Sequence, residues 1–116
     1  MGSEMIDIGD FNINRRGKFR AKTRLNAQYF IKKQSAHYLD CQIVNLSRTG
    51  AAVSLPLAEK LKSGVMMFLD IYVPKTLMHV SAQAEIKRVE QRETEIICGV
   101  KFTELISQSV FEQLTK

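Results

Sequence analysis

Residues 39–55 read LDCQIVNLSRTGAAVSL. Leu39, Cys41 and Ile43 alternate with polar neighbours, which is the period-2 signature of a half-buried strand. Asn45 to Gly50 break that rhythm with turn-forming residues, and Ala51, Val53 and Leu55 resume it. The stretch therefore predicts two strands joined by a polar turn.

The same alternation extends outward. Upstream, Leu25, Ala27, Tyr29 and Ile31 share one face of a first strand near 23–32, and KKQSAH makes the turn that follows. Downstream, PLAEKLKSG places Pro56 for a first helical turn and Gly64 for a stop, predicting a short helical turn or a tight connector. Val65, Met67, Leu69, Ile71 and Val73 form a fourth, largely buried strand ended by Pro74. Val80, Ala82, Ala84 and Ile86 form a fifth, and after the charged turn EQRETE, Ile96, Cys98, Val100 and Phe102 complete a hairpin with a sixth. The tail changes period: Ile106, Val110 and Leu114 recur every fourth residue with Phe111 beside them, as in a short amphipathic helix. An all-β domain follows, a six-stranded antiparallel β-barrel whose closure removes its edges, with a C-terminal α-helix capping an end or covering a face. Residues 1–14 show no period and are expected to form a mobile leader; residues 15–116 form the domain.

The chain has 116 residues, 45% of them hydrophobic and 25% charged, which suits one globular domain and excludes wholesale disorder. No run approaches the roughly 20 apolar residues of a membrane span, and the N-terminus lacks the pattern of a signal peptide. A cytoplasmic protein is expected, with Cys41 and Cys98 as buried thiols in a reducing compartment. The net charge of +5 has a definite place: residues 1–33 hold eight Lys and Arg against three Asp and Glu, and the rest of the chain is balanced. Six of those basic residues fall between positions 15 and 24. Such an arm is an anion site for phosphates, nucleic acid or a membrane surface, or a solvated segment.

Catalytic and metal-binding patterns are missing from the sequence. His37 lies in a polar turn and His79 at a strand start, neither at motif spacing from a Cys or carboxylate; there is no HExxH, CxxC or GxSxG. Asp70 reads as an outward strand residue. No enzymatic activity, cofactor or metal is expected. Two features stand out instead. One is Arg16-Gly17-Lys18-Phe19-Arg20, preceded by Arg15; the other is Asn45-Leu46-Ser47-Arg48-Thr49-Gly50, an NxSxxG pattern between strands two and three. The spacing RxxxR also occurs at 20/24 and 88/92, where Arg24, Arg88 and Arg92 read as solvated surface. Lys18, Lys22, Lys32 and Lys33 would steer anions rather than bind them specifically.

Together and in this order the two motifs resemble those of the PilZ domain, which carries an RxxxR arm ahead of its first barrel strand and a [D/N]xSxxG turn after its second. Gly64 before a hydrophobic strand and Gly99-Val100-Lys101-Phe102 leading to a final helix are similar to the family's layout as well. The resemblance covers roughly residues 15–116. It implies a PilZ-type six-stranded antiparallel barrel with a flexible N-terminal arm, and cyclic di-GMP as ligand. It further implies a site of Arg16, Arg20, Asn45, Ser47 and Gly50, with Arg15 matching a frequent extra arginine. The chemistry is consistent with that assignment. Arginine can pair with a phosphate or with the O6/N7 edge of guanine through parallel hydrogen bonds, and can stack on a base. Asn45 can donate and accept toward a guanine edge, Ser47 can hold the turn or bond the ligand, and Gly50 supplies a positive φ or a close backbone approach. The resemblance suggests signalling to a separate effector protein concerned with motility, pili, exopolysaccharide or biofilm. Two other readings stay open. One is a small basic barrel binding single-stranded nucleic acid, with Phe19, Tyr29 and Phe30 as stacking platforms, against which the confinement of charge to one arm argues. The other is a PilZ-like adaptor that binds no ligand.

Overall fold

The structure, a computed structural model, describes residues 21–57 and 59–115. Six strands and one helix follow in order: β1 Ala21–Ile31, β2 Leu39–Leu46, β3 Gly50–Leu55, β4 Met66–Tyr72, β5 His79–Gln91, β6 Ile96–Phe102 and α1 Gln108–Thr115. The strands close into a barrel in the order β1-β2-β3-β6-β5-β4. Every neighbouring pair is antiparallel, including β1 with β4, which seals the barrel. Closure leaves no row of unpaired backbone groups at a sheet edge.

Alternation places the expected residues inside. Leu25, Ala27, Tyr29 and Ile31 of β1 face Ile43, Val53, Met67, Leu69, Ile71, Ile86 and Cys98 in one buried core. Helix α1 starts after Ser107, whose Oγ accepts from Val110 N at 3.2 Å as an N-terminal cap. It buries Phe111 and Leu114, and Ile106 is buried just ahead of it.

Three details depart from or sharpen the expectation. The described residues between 56 and 64 form a connector with no helix among them. Glu59 N donates to Pro56 O at 3.2 Å, Gly64 has φ +91°, and Gly64 N donates to Ile86 O at 2.6 Å. Tyr29 Oη and Gln34 Nε2 both donate to the Glu59 carboxylate, pinning this segment across the barrel instead of letting it coil on itself. In the EQRETE stretch, Glu90 and Gln91 extend β5, and the reversal is confined to the next four residues, closed by Arg92 N to Glu95 O at 2.8 Å. Both cysteines are free and buried, and burial pushes each thiol up to about 12.

Candidate functional site

Strand β2 sends Cys41 and Ile43 into the core, so unbroken alternation would send Asn45 after them. It does not. Ile43 pairs with Val53 and Asn45 with Ala52, so β2 advances two residues while β3 advances one. This is a β-bulge, and the extra residue flips the phase of everything beyond it. Leu46 takes the lumen position with no exposure, and Asn45 joins the outer face with Ala52. Strand β5 does the same. Ile86 pairs with Val100 and Arg88 with Gly99, so Arg88 leaves the face that Ala84 and Ile86 occupy. A third irregularity lies between Lys22 and Leu25 of β1, next to the pair Lys22 and Asn45.

These are all the register irregularities among the described ladders, and they meet on one rung. Lys22, Asn45, Ala52, Gly99 and Arg88 are successive partners across β1, β2, β3, β6 and β5. Bulges commonly re-aim side chains beside functional sites. The middle of the rung carries only a methyl group and a hydrogen, and the Arg88 side chain folds over Gly99, its Nε 3.5 Å from where a Cβ there would sit. At the other end, Asn45 Oδ1 is buried and has no hydrogen-bond partner among the described residues. A buried acceptor left without a donor costs about 1–3 kcal/mol.

The turn after Asn45 is built around Ser47, which is 1% exposed. Its Oγ accepts from Thr49 N and Gly50 N, each at 3.2 Å, and lies 3.1 Å from Thr49 Oγ1. Of its two expected roles, the structure shows the hydroxyl holding the turn. Gly50 has no positive φ; the close approach is what requires glycine, because a Cβ would lie 2.3 Å from Val100 O. The turn is tied to the approach to α1 by Phe102 N to Thr49 O and Ile106 N to Arg48 O, both 2.8 Å, and by Arg48 Nε to Ile106 O at 2.6 Å.

Of the sequence-predicted site residues, Asn45, Ser47 and Gly50 come together here. Arg15, Arg16 and Arg20 lie outside the described residues, as do Lys18, Phe19 and the leader at 1–14. Ala21 pairs with Leu46, so the chain enters the barrel beside the turn. Arg88, read with Arg92 as solvated surface, is exposed; what sequence reasoning did not foresee is its place on the rung of Asn45. Arg92 does lie at the exposed reversal, donating to Glu90 at 3.0 Å. The available signal for Arg88 was a charged residue at a position where alternation predicts burial. Arg24 is exposed as expected and donates to Gln42 Oε1 at 2.6 Å.

Elsewhere, the β4–β5 hairpin pairs His79 Nδ1 with Asp70 Oδ1 at 2.5 Å on the surface, a contact made by strand register rather than by motif spacing. Among the described residues no cluster of His, Cys, Asp and Glu could hold a metal, and no helix is long and apolar enough to cross a membrane. Tyr29 is buried in the core, which removes one of the stacking platforms a nucleic-acid surface would use; Phe30 is half-buried and packs on Tyr38 and Phe68.

Comparison with known proteins points the same way as the fold. The family model of the PilZ domain matches residues 14–116. A search of the curated proteins returns no match. Among solved structures, the inhibitor of motility MotI/DgrA of Bacillus subtilis is similar, with 20% identity and a TM-score of 0.67 over 86% of this chain and 48% of its own. The PilZ domain of YcgR from Escherichia coli, solved with c-di-GMP, shares 19% identity at a TM-score of 0.65, covering 86% of both chains. PlzA of Borreliella burgdorferi, also in complex with c-di-GMP, shares 14% identity at 0.54, over 92% of this chain and 43% of its own. The chain thus spans about half the length of MotI/DgrA.

Proposed function

The chain belongs to the PilZ domain family, and from that premise we propose that it is a receptor for cyclic di-GMP, held between the arginine arm and the outer face of the barrel. The observation that carries this reading is the convergence of three strand irregularities on one rung, which turns Asn45 outward with an acceptor that has no partner among the described residues. Two structural relatives solved with c-di-GMP support the choice of ligand.

Arg16 and Arg20, with Arg15 beside them, supply the charge that two phosphates need. The arm joins β1 at Ala21, which pairs with Leu46. An extended chain covers up to about 3.6 Å per residue, so Arg16 reaches as far as ~18 Å from Ala21. The rung from Asn45 to Arg88 crosses three strand spacings, about 14 Å, and both motif arginines can therefore close over a ligand lying on it. Their planar forks suit phosphate and the guanine edge alike, while the lysines of the arm raise the local concentration of anions. Ser47 keeps the turn rigid, and Gly50 lets β3 lie close to β6.

The activity proposed is binding, with no chemical turnover. The message passes outward because the turn is hydrogen-bonded to residues 102–106 ahead of α1, so loading the turn alters the surface around the helix. A partner protein reads that surface; control of motility, pili, exopolysaccharide or biofilm are the outputs in view. Isothermal titration with cyclic di-GMP tests the reading. Micromolar or tighter binding is expected for the wild type, with little or none for Arg16→Ala or Arg20→Ala, and equal heats in all three would refute it.

A further inference from the structure

We infer that Arg88 is a ligand-contacting residue that selects guanine over adenine, an inference that rests on the cyclic di-GMP reading above. The rung offers hydrogen-bonding groups of opposite kind at its two ends. Asn45 Oδ1 is a buried acceptor without a partner among the described residues. Arg88 brings a guanidinium with donors only. Between them lie Ala52 and Gly99, which raise nothing above the sheet beyond one methyl group.

The Arg88 guanidinium lies along this floor. Its Nε and Nη2 are 3.5 and 3.9 Å from the position of a Cβ on Gly99, so the group sits over β6 at the height a flat base would take over Ala52. A base over Ala52 would lie beside the fork, within reach of a bidentate pair. The space from β2 to β6 spans two strand spacings, about 10 Å, which accommodates a bicyclic base with a hydrogen bond of about 2.9 Å at each end. Guanine matches both ends: N7 and O6 are acceptors for Arg88, and its N1–H and N2–H donors face Asn45. Adenine presents a donor, N6–H, where Arg88 also donates.

Two β-bulges set up the arrangement, each moving a polar residue off the lumen face onto the same rung. One such bulge is accounted for by the NxSxxG turn it precedes. The second, in β5, brings Arg88 onto the rung of Asn45.

The test is a titration of cyclic di-GMP and cyclic di-AMP against wild type, Arg88→Gln and Arg88→Lys, with melting temperatures measured alongside. The wild type is expected to prefer cyclic di-GMP. Arg88→Gln should weaken cyclic di-GMP binding about 10–100-fold and narrow its preference over cyclic di-AMP, because glutamine pairs with adenine N6 and N7. Arg88→Lys keeps the charge without the fork and should lose affinity similarly. Both variants should melt with the wild type, since Arg88 is an exposed residue. An unchanged preference in Arg88→Gln, full affinity in Arg88→Lys, or equal loss of both dinucleotides with a lowered melting temperature would each overturn the assignment and leave the receptor reading intact. A wild type that binds neither dinucleotide would overturn both.

Discussion

Replacing Gly50 by alanine should destabilise the barrel by an amount that follows from one distance. A Cβ at Gly50 would lie 2.3 Å from Val100 O, a backbone atom of the neighbouring strand. A carbon and a carbonyl oxygen settle no closer than about 3.3 Å, so β3 and β6 must part by ~1 Å there. That strains the bonds holding the turn, among them Ser47 N to Gly50 O at 2.9 Å and Phe102 N to Thr49 O at 2.8 Å. Stretched by about 1 Å, neither counts as a hydrogen bond. Two lost bonds at about 1 kcal/mol each, with ~1 kcal/mol or more of residual overpacking, give about 3 kcal/mol. The restricted unfolded chain returns about 0.4–1 kcal/mol of that. For a domain of this length the net loss corresponds to a fall in melting temperature of about 8–12 °C. Thermal unfolding followed by circular dichroism measures it, with Gly99→Ala as the comparison. There the added Cβ meets only the Arg88 side chain at 3.5 Å or more, an ordinary contact, and stability should change by less than about 0.5 kcal/mol. A Gly50→Ala variant that melts within about 2 °C of wild type would show that the approach of β3 to Val100 is not a constraint.

Ser47→Ala removes the acceptor for Thr49 N and Gly50 N and should cost about 1–3 kcal/mol in urea unfolding, with Ser47→Thr recovering part of it. Asn45→Ala separates stability from binding: deleting a buried Oδ1 that has no partner among the described residues should leave the melting temperature equal or higher while cyclic di-GMP affinity falls. A lowered melting temperature with unchanged affinity would refute that. Cys41 and Cys98 are raised from 9.0 to about 12, chiefly by burial, with Asp40 adding to Cys41. Between pH 9 and 12 the unfolded chain therefore holds fewer protons than the folded one, so stability falls as pH rises through this window. Denaturation midpoints measured at pH 8 and pH 10.5 should show the loss in wild type and less of it in Cys98→Ala relative to its own value at pH 8.

Strand content was legible in the sequence because alternation is local. Leu25 to Ile31, Val65 to Val73 and Ile96 to Phe102 each show their inner face without reference to a neighbour, and closure follows from the need to bury six such faces at once. The turn was legible for the same reason, since Asn45, Ser47 and Gly50 are turn formers within one short segment. Residues 56–64 were ambiguous because Pro56 and Gly64 punctuate a helix and a tight connector equally well, and the choice fell to Glu59 meeting Tyr29 and Gln34 from other parts of the chain.

What the sequence by itself determined is thus the set of strands, the final helix, the turn and the position of the excess charge. Only the tertiary structure decided which face Asn45 and Arg88 occupy and that they share a rung. The physical reason is that a bulge is a property of two paired strands: it exists only as a mismatch between β2 and β3 or between β5 and β6. Counted along either strand alone, Asn45 and Arg88 continue the buried alternation of Ile43 and Ile86. Pairing adds one residue on each side, and the two residues come to share one rung across Ala52 and Gly99.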